Sequence, residues 1–332
     1  MNEELKSKKK SFRLLSLDGG GVRGLLSAQV LANIEDYLNG RTGEAMPLGR
    51  RFDLLVGTST GGLIALALAA GKPASAVLAF YETHIPKIFS PNRAHWLGSW
   101  LARPKYDVEE LQAALESFFG DLTLQDLVVD ACVVSVALQN AKPRLYKTGY
   151  LKRNAGRLGE KVVDVALATS AAPTFFPAHS GRFSTDIADG GLCANNPSVV
   201  GIVEALQFEE ASKRPGAPST PQKLEELSMI SVGTGEPCAM PYDHRRLRAA
   251  GLRRWILSLR PKQSVPLFEV AVESQSVLAH FQAAFMLKEG YLRINPKLTF
   301  PMALDDASRL GELRNLGDLD KITEDFLAKH FL

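Results

Sequence analysis

Phe52-Asp-Leu-Leu-Val56, Gly57-Thr58-Ser59-Thr60-Gly61-Gly62 and Leu63-Ile-Ala-Leu-Ala-Leu-Ala-Ala70 follow one another without a gap. The first is an apolar run of strand length, and the last is an Ala/Leu run closed by Gly71. A strand, a glycine turn and a helix in direct succession form half of a βαβ unit. The same order occurs just upstream. Phe12-Arg-Leu-Leu-Ser-Leu17 stops at Asp18 and Gly19-Gly20-Gly21. Leu25, Leu26, Val30, Leu31, Ile34 and Leu38 then recur at helical spacing, with Gly40 as the expected stop. Two such units predict an α/β fold with a mainly parallel sheet and crossover helices.

Working outward, residues 74–89 and 107–119 read as helices, as do Val162–Thr169 and Pro197–Phe208. Ala131–Leu138 and Leu227–Val232 are β-branched strand candidates, and Arg182–Ala188 is a further extended run leading into Asp189. The expected organisation is a loose basic arm at 1–11, a core at 12–240, and a mainly helical C-terminal region at 241–332 packed on the same domain. Pro215–Pro221 is a surface loop. The Trp- and Arg-containing loop Pro91–Lys105 is a lid or a lipid-contacting flap, unless its aromatics are simply packed.

The chain has 332 residues, 45% hydrophobic and 23% charged, which excludes disordered and collagen-like classes. Its 39 Lys and Arg against 36 Asp and Glu leave +3, too balanced for a general DNA or RNA binder. Cys132, Cys193 and Cys238 are widely spaced and odd in number. They suit neither a disulfide framework nor a zinc site, so a reducing cytoplasm is expected. The N-terminus lacks a signal-peptide pattern, and no apolar run approaches the ~20 residues of a membrane span. Any membrane contact should therefore be peripheral. Charge is nonetheless uneven: Arg245, Arg246, Arg248, Arg253, Arg254, Arg260 and Lys262 stand against Asp243, with Trp255 among them. This is a candidate patch for an anionic ligand or a membrane surface, unless it is a solvated helix face.

Three stretches carry chemistry. Gly19–Gly24 satisfies G-x-G-x-x-G between a strand and a helix, the context of a dinucleotide turn. Asp18 argues against that use, because its charge would sit beside a pyrophosphate. The strand Phe52–Val56 also lacks a terminal acidic residue for a ribose. The other reading is an oxyanion loop of bare glycine N–H groups, with Arg23 adding charge or bracing it. Gly57–Gly61 matches G-x-S-x-G and presents Ser59 as a nucleophile at a helix N-terminus. None of the six histidines lies in a loop suited to a triad, His179 being the best placed. Asp189-Gly190-Gly191 offers a carboxylate in a turn instead.

Together, Asp18-Gly-Gly-Gly-Val-Arg-Gly24, Gly57-Thr-Ser-Thr-Gly61 and Asp189-Gly-Gly191 resemble the patatin-like phospholipase family. So do Ala168–Pro177, Asp189–Pro197 and Ser231–Gly235. The resemblance spans about residues 12–235. It implies a three-layer α/β/α fold and lipid acyl hydrolysis by a Ser–Asp dyad. Carried over by position, Ser59 is the nucleophile, Asp189 its base, and Gly19, Gly20, Gly21 and Arg23 the oxyanion loop, joined by the Thr60 N–H. No motif residue departs from the pattern. No carboxylate cluster suggests a Ca²⁺ site, so the activity is expected to need no metal or cofactor. The chain also resembles bacterial patatin-like effectors of anti-phage signalling, which implies a cyclic dinucleotide activator. Homo-oligomerisation stays open. The alternatives are a constitutive esterase or lipase of lipid turnover, or a nucleotide-binding protein using Gly19–Gly24.

Overall fold

The computed structural model describes residues 11–90, 103–208, 220–238, 244–248, 250–251, 255 and 266–332. The basic arm to residue 10, the loop 91–102 and most of the Pro215–Pro221 loop lie outside them. Outside them too are Arg253, Arg254, Arg260 and Lys262.

The strands are β1 Phe12–Leu17, β2 Leu54–Thr58, β3 Asp130–Ala137, β4 Lys142–Lys147, β5 His179–Gly181, β6 Ser184–Asp189, β7 Leu227–Val232 and β8 Tyr291–Ile294. They form one eight-stranded sheet in the order β5-β6-β3-β2-β1-β7-β8, with β4 on β3. β3, β2, β1, β7 and β8 are parallel, whereas β4 and β6 pair with β3 antiparallel. Helices cover both faces. Side chains on successive strand positions point to opposite sides. In β1, accordingly, Leu15 and Leu17 join one buried cluster, while Phe12 and Leu14 join the other. The first cluster packs against α1 (Gly24–Thr42), α2 (Thr60–Ala69), α3 (Ala74–Ile88), α4 (Glu109–Phe119) and α5 (Val162–Ser170). The short α6 (Gly191–Ala194) follows β6. The second cluster is closed by α7 (Ser198–Leu206) and by α9 (Pro266–Leu287), with the short α8 (His244–Leu247) between those two in the chain. α10 (Leu310–Arg314) and α11 (Lys321–Phe331) return to the first face. The architecture is three-layer α/β/α.

One expectation needs correction. Gly40 does not stop α1, because Thr42 is still helical. The left-handed position falls on Gly43, at φ 71°, whose N–H caps the Asn39 carbonyl. The region beyond residue 240 also contributes a strand: β8 pairs with β7 through Met229↔Tyr291 to Val232↔Ile294 and extends the sheet. Among the described residues no helix is long and apolar enough to cross a membrane.

Candidate active site

The arrangement of β3 decides which residues meet. β4 runs along one edge of β3 from Cys132 to Ala137. The other edge is shared: β2 takes it as far as Thr58↔Val134, and β6, arriving from the opposite direction, takes it from Asp189↔Ser135 onward. The C-terminal ends of β2 and β6 therefore abut, one carrying Ser59 and the other ending in Asp189.

Ser59 sits at φ 54°, ψ −126°, a backbone region that L-residues avoid at a cost of about 1–3 kcal/mol. The turn is tight enough that a Cβ on Gly57 or Gly61 would strike the Gly61 or Leu17 carbonyl oxygen at 2.2 Å. This geometry lifts the Ser59 side chain out of the strand at the N-terminus of α2. Its hydroxyl donates to Asp189 Oδ2 at 2.5 Å. Asp189 Oδ1 accepts the Gly191 N–H at 2.7 Å. The Ser59 N–H donates to Thr169 Oγ1 at 2.8 Å, and that hydroxyl donates to the Val134 carbonyl at 2.6 Å. Thr169 thereby fixes the elbow to α5 and β3. Burial pushes the Asp189 carboxyl up to about 6, against the lowering pull of Ser59 and the Gly191 amide.

The glycine loop divides its work. The Gly19 N–H donates to the Asn195 carbonyl at 3.0 Å, so this amide is turned away from Ser59 and does not complete an oxyanion hole as expected. Gly20 and Gly21 line the cleft beside Ser59, and among the described residues no hydrogen bond engages their amides. Gly21 adopts φ +56°, and a Cβ there would lie 2.1 Å from the Leu304 oxygen. Leu304 in turn accepts the Val22 N–H at 2.8 Å. Thr60 opens α2, where helix N–H groups have no intrahelical partner; its hydroxyl bonds the buried Tyr81 hydroxyl. Arg23 is buried but does not line the cleft. Burial lowers its pKa, opposed by Glu269, Glu273 and Asp18. Its Nε is buried without a hydrogen-bond partner among the described residues. Asp18 is held by Arg293 of β8 through two bonds, 2.9 Å and 2.5 Å, and Arg293 also donates to Ser231 at 2.8 Å. Burial alone would pull the Arg293 guanidinium down; the charge and hydrogen bonds of Asp18, together with Tyr291 and Glu273, outweigh it and hold it above its ordinary value.

The cleft encloses about 770 Å³ with its open mouth included, and Ser59 and Asp189 lie in its wall. Leu63, Phe80, Ile85, Ile88, Phe89, Leu111, Phe175, Phe176, Phe268 and Val272 give it apolar walls suited to an acyl chain. No histidine lines it among the described residues. His179 lies on β5 with its Nε2 3.4 Å from Asp164. Arg245, Arg248 and Trp255 are not lining residues either; Arg245 and Arg248 are exposed and Trp255 is half-buried. Thr169 and Asn195 fall inside quoted motif stretches, yet nothing in the sequence marks their roles. Arg293, Leu304 and Gln275 lie beyond every motif. No convergent group of three His, Cys, Asp or Glu is present among the described residues to hold a metal.

A strained serine thus donates to a buried carboxylate beside an apolar cleft, on a three-layer α/β/α fold. Residues 15–200, more than half of the chain, match the family model described as patatin-like phospholipase. Patatin-like protein 1 of Oryza sativa subsp. indica is 30% identical over 85% of this chain and 73% of its own length. Patatin-like protein 2 of Arabidopsis thaliana is 29% identical over 95% and 83%. A protein of Vibrio cholerae named cGAMP-activated phospholipase is 37% identical over 68% and 65%. The chain belongs to the patatin-like phospholipase family. It is a lipid acyl hydrolase.

Proposed function

We propose that Ser59 and Asp189 are a catalytic dyad that releases ester-linked fatty acids from membrane phospholipids. The observation that carries this is the 2.5 Å bond from Ser59 Oγ to Asp189 Oδ2 at the end of an apolar cleft. A carboxylate with its pKa near 6 is still ionised at neutral pH and is a better proton acceptor than an ordinary one. Ser59 Oγ attacks the ester carbonyl and its proton passes to Asp189. The oxyanion is held by the Gly20 and Gly21 amides, with the Thr60 N–H and the α2 dipole behind it. As the C–O bond breaks, Asp189 returns the proton to the departing lysophospholipid oxygen. Water then attacks the acyl-enzyme and gives a proton to Asp189; as the bond from Ser59 Oγ to the acyl carbon breaks, Asp189 returns that proton to Ser59 Oγ and the fatty acid leaves. These steps call on no metal or cofactor, so activity should survive EDTA.

Activation by a cyclic dinucleotide is part of the proposal, as is peripheral action at a membrane. The name of the Vibrio cholerae relative supports the first. The basic segment around Arg245, Arg246 and Arg248, with Arg253, Arg254 and Trp255, has the charge to attract an anionic activator. Phospholipid vesicles, with and without a panel of cyclic dinucleotides, test both parts. Fatty acid release that Ser59→Ala and Asp189→Asn each abolish supports the dyad, and dependence on one dinucleotide supports gating. Equal release without any nucleotide favours the constitutive lipase. Nucleotide binding without hydrolysis would favour the Gly19–Gly24 turn as a binding site, a reading opposed by the engaged Gly19 amide and the Asp18–Arg293 pair.

A further inference from the structure

The structure points to Gln275, outside every motif, as a positioning residue for the reaction, an inference that rests on the Ser59–Asp189 reading above. α6 follows the base: Gly191–Ala194, with Asn195 still in helical conformation at φ −63°, ψ −41°. A continuing helix would have the Asn195 N–H donate to the Gly191 carbonyl, four residues back. It does not. The Asn195 N–H donates instead to Gln275 Oε1 at 3.0 Å, and Gln275 Nε2 donates to the Gly191 carbonyl at 3.1 Å. The side chain of Gln275, on α9, is thus inserted into the hydrogen-bond ladder of α6 and satisfies both groups that it separates.

The opened end of α6 is what reaches the glycine loop. The Asn195 carbonyl accepts the Gly19 N–H at 3.0 Å, and Asn195 Nδ2 donates to the Gly19 carbonyl at 3.2 Å. The same Nδ2 donates to Ser276 Oγ at 3.0 Å, and Asn196 Nδ2 donates to the Ser276 carbonyl at 3.2 Å. Two adjacent residues of α9 therefore set where Asn195 lies. Asn195 grips Gly19 by both backbone groups, immediately before Gly20 and Gly21. The spacing between the base loop and the oxyanion loop is set by α9. Removing the wedge need not unfold anything, because the two groups it separates can bond each other. α6 would then close by one residue and draw Asn195 away from Gly19.

Gln275→Met keeps the length of the side chain and removes both polar arms. A displacement of the order of 1 Å at a reacting centre costs about 10- to 100-fold in rate. With a 4-nitrophenyl ester, under whichever nucleotide condition supports the wild type, kcat should fall by that factor and KM stay within twofold. The thermal midpoint should be retained, and labelling of Ser59 by a fluorophosphonate should slow in parallel with kcat. An unchanged kcat, or a loss explained by a lowered midpoint, overturns the proposal. Should Gln275→Met fail to fold, Gln275→Glu, which keeps only the acceptor, carries the test. A fall in kcat of at least threefold at constant KM supports positioning, and no fall refutes it. Ser59→Ala and Asp189→Asn run alongside: if either is active, the dyad itself fails, whereas if both are dead and Gln275 variants are normal, only this inference fails.

Discussion

Asp189→Asn should inactivate the enzyme and stabilise the fold. Burial lifts the Asp189 carboxyl from 3.8 to about 6, so at pH 8 the folded protein holds an ionised group that the unfolded chain solvates better. At 1.36 kcal/mol per pKa unit this costs about 3 kcal/mol. Asparagine is never charged. It keeps one acceptor and one donor edge for the Gly191 N–H and the Ser59 hydroxyl, and the poorer fit of an amide than of a protonated carboxyl to those two groups costs about 1 kcal/mol. The variant should therefore be more stable by about 2 kcal/mol at pH 8. The sign follows from proton binding: between 3.8 and about 6 the folded state binds more protons than the unfolded one, so wild-type stability declines as pH rises through that window. At pH 5 most of the folded protein is already protonated at Asp189, and the advantage of the variant should shrink to under about 1 kcal/mol. Urea unfolding of both proteins at pH 8 and pH 5 measures this. A variant less stable than wild type at pH 8, or a gap that does not narrow at pH 5, would refute the account of a desolvated base.

The same carboxylate predicts that kcat/KM rises about tenfold per pH unit up to about pH 6 and then levels off; a profile flat down to pH 4.5 would remove Asp189 as the base. Gly21→Ala places a methyl against the Leu304 carbonyl at positive φ, and should cost about 100-fold in kcat by shifting the loop, measured on a soluble ester. Arg293→Met strands the buried Asp18 carboxylate and should destabilise the fold by about 3–5 kcal/mol in urea titrations.

The sequence shows the parts of the fold that are written locally. β1 and β7 fall on their expected bounds, because each is an apolar run bounded by polar or glycine residues. β2 starts two residues late because Leu48–Arg51 form a 3₁₀ turn and the Asp53 carboxylate accepts the Arg13 N–H at 2.7 Å. β8 escaped because Tyr-Leu-Arg-Ile is short and its Arg293 looks like a surface residue; only the distant Asp18 makes that arginine an interior one. The Gly19 amide was misjudged for a related reason. A run of glycines advertises free N–H groups, but which of them are free depends on Asn195, 176 residues away along the chain. Gln275 carries no local signal, since its two partners become neighbours only when α9 crosses α6.

The shared edge of β3 explains why a carboxylate, rather than a histidine, faces Ser59. β2 and β6 approach each other along one edge and stop at adjacent β3 positions, Val134 and Ser135. The last residue of β6 is thus placed within hydrogen-bond reach of the residue after β2, which leaves no gap for an intervening imidazole. A short side chain suits that distance. His179, on β5, is displaced outward by one strand and meets Asp164 instead. The register that delivers Asp189 is held twice, by its pairing with Ser135 and by its own N–H on the Ala171 carbonyl at 3.0 Å. Strand side chains alternate, so a one-residue slip of β6 would turn the carboxylate to the opposite face. The pairing of two strand ends, more than either motif alone, brings Ser59 and Asp189 together.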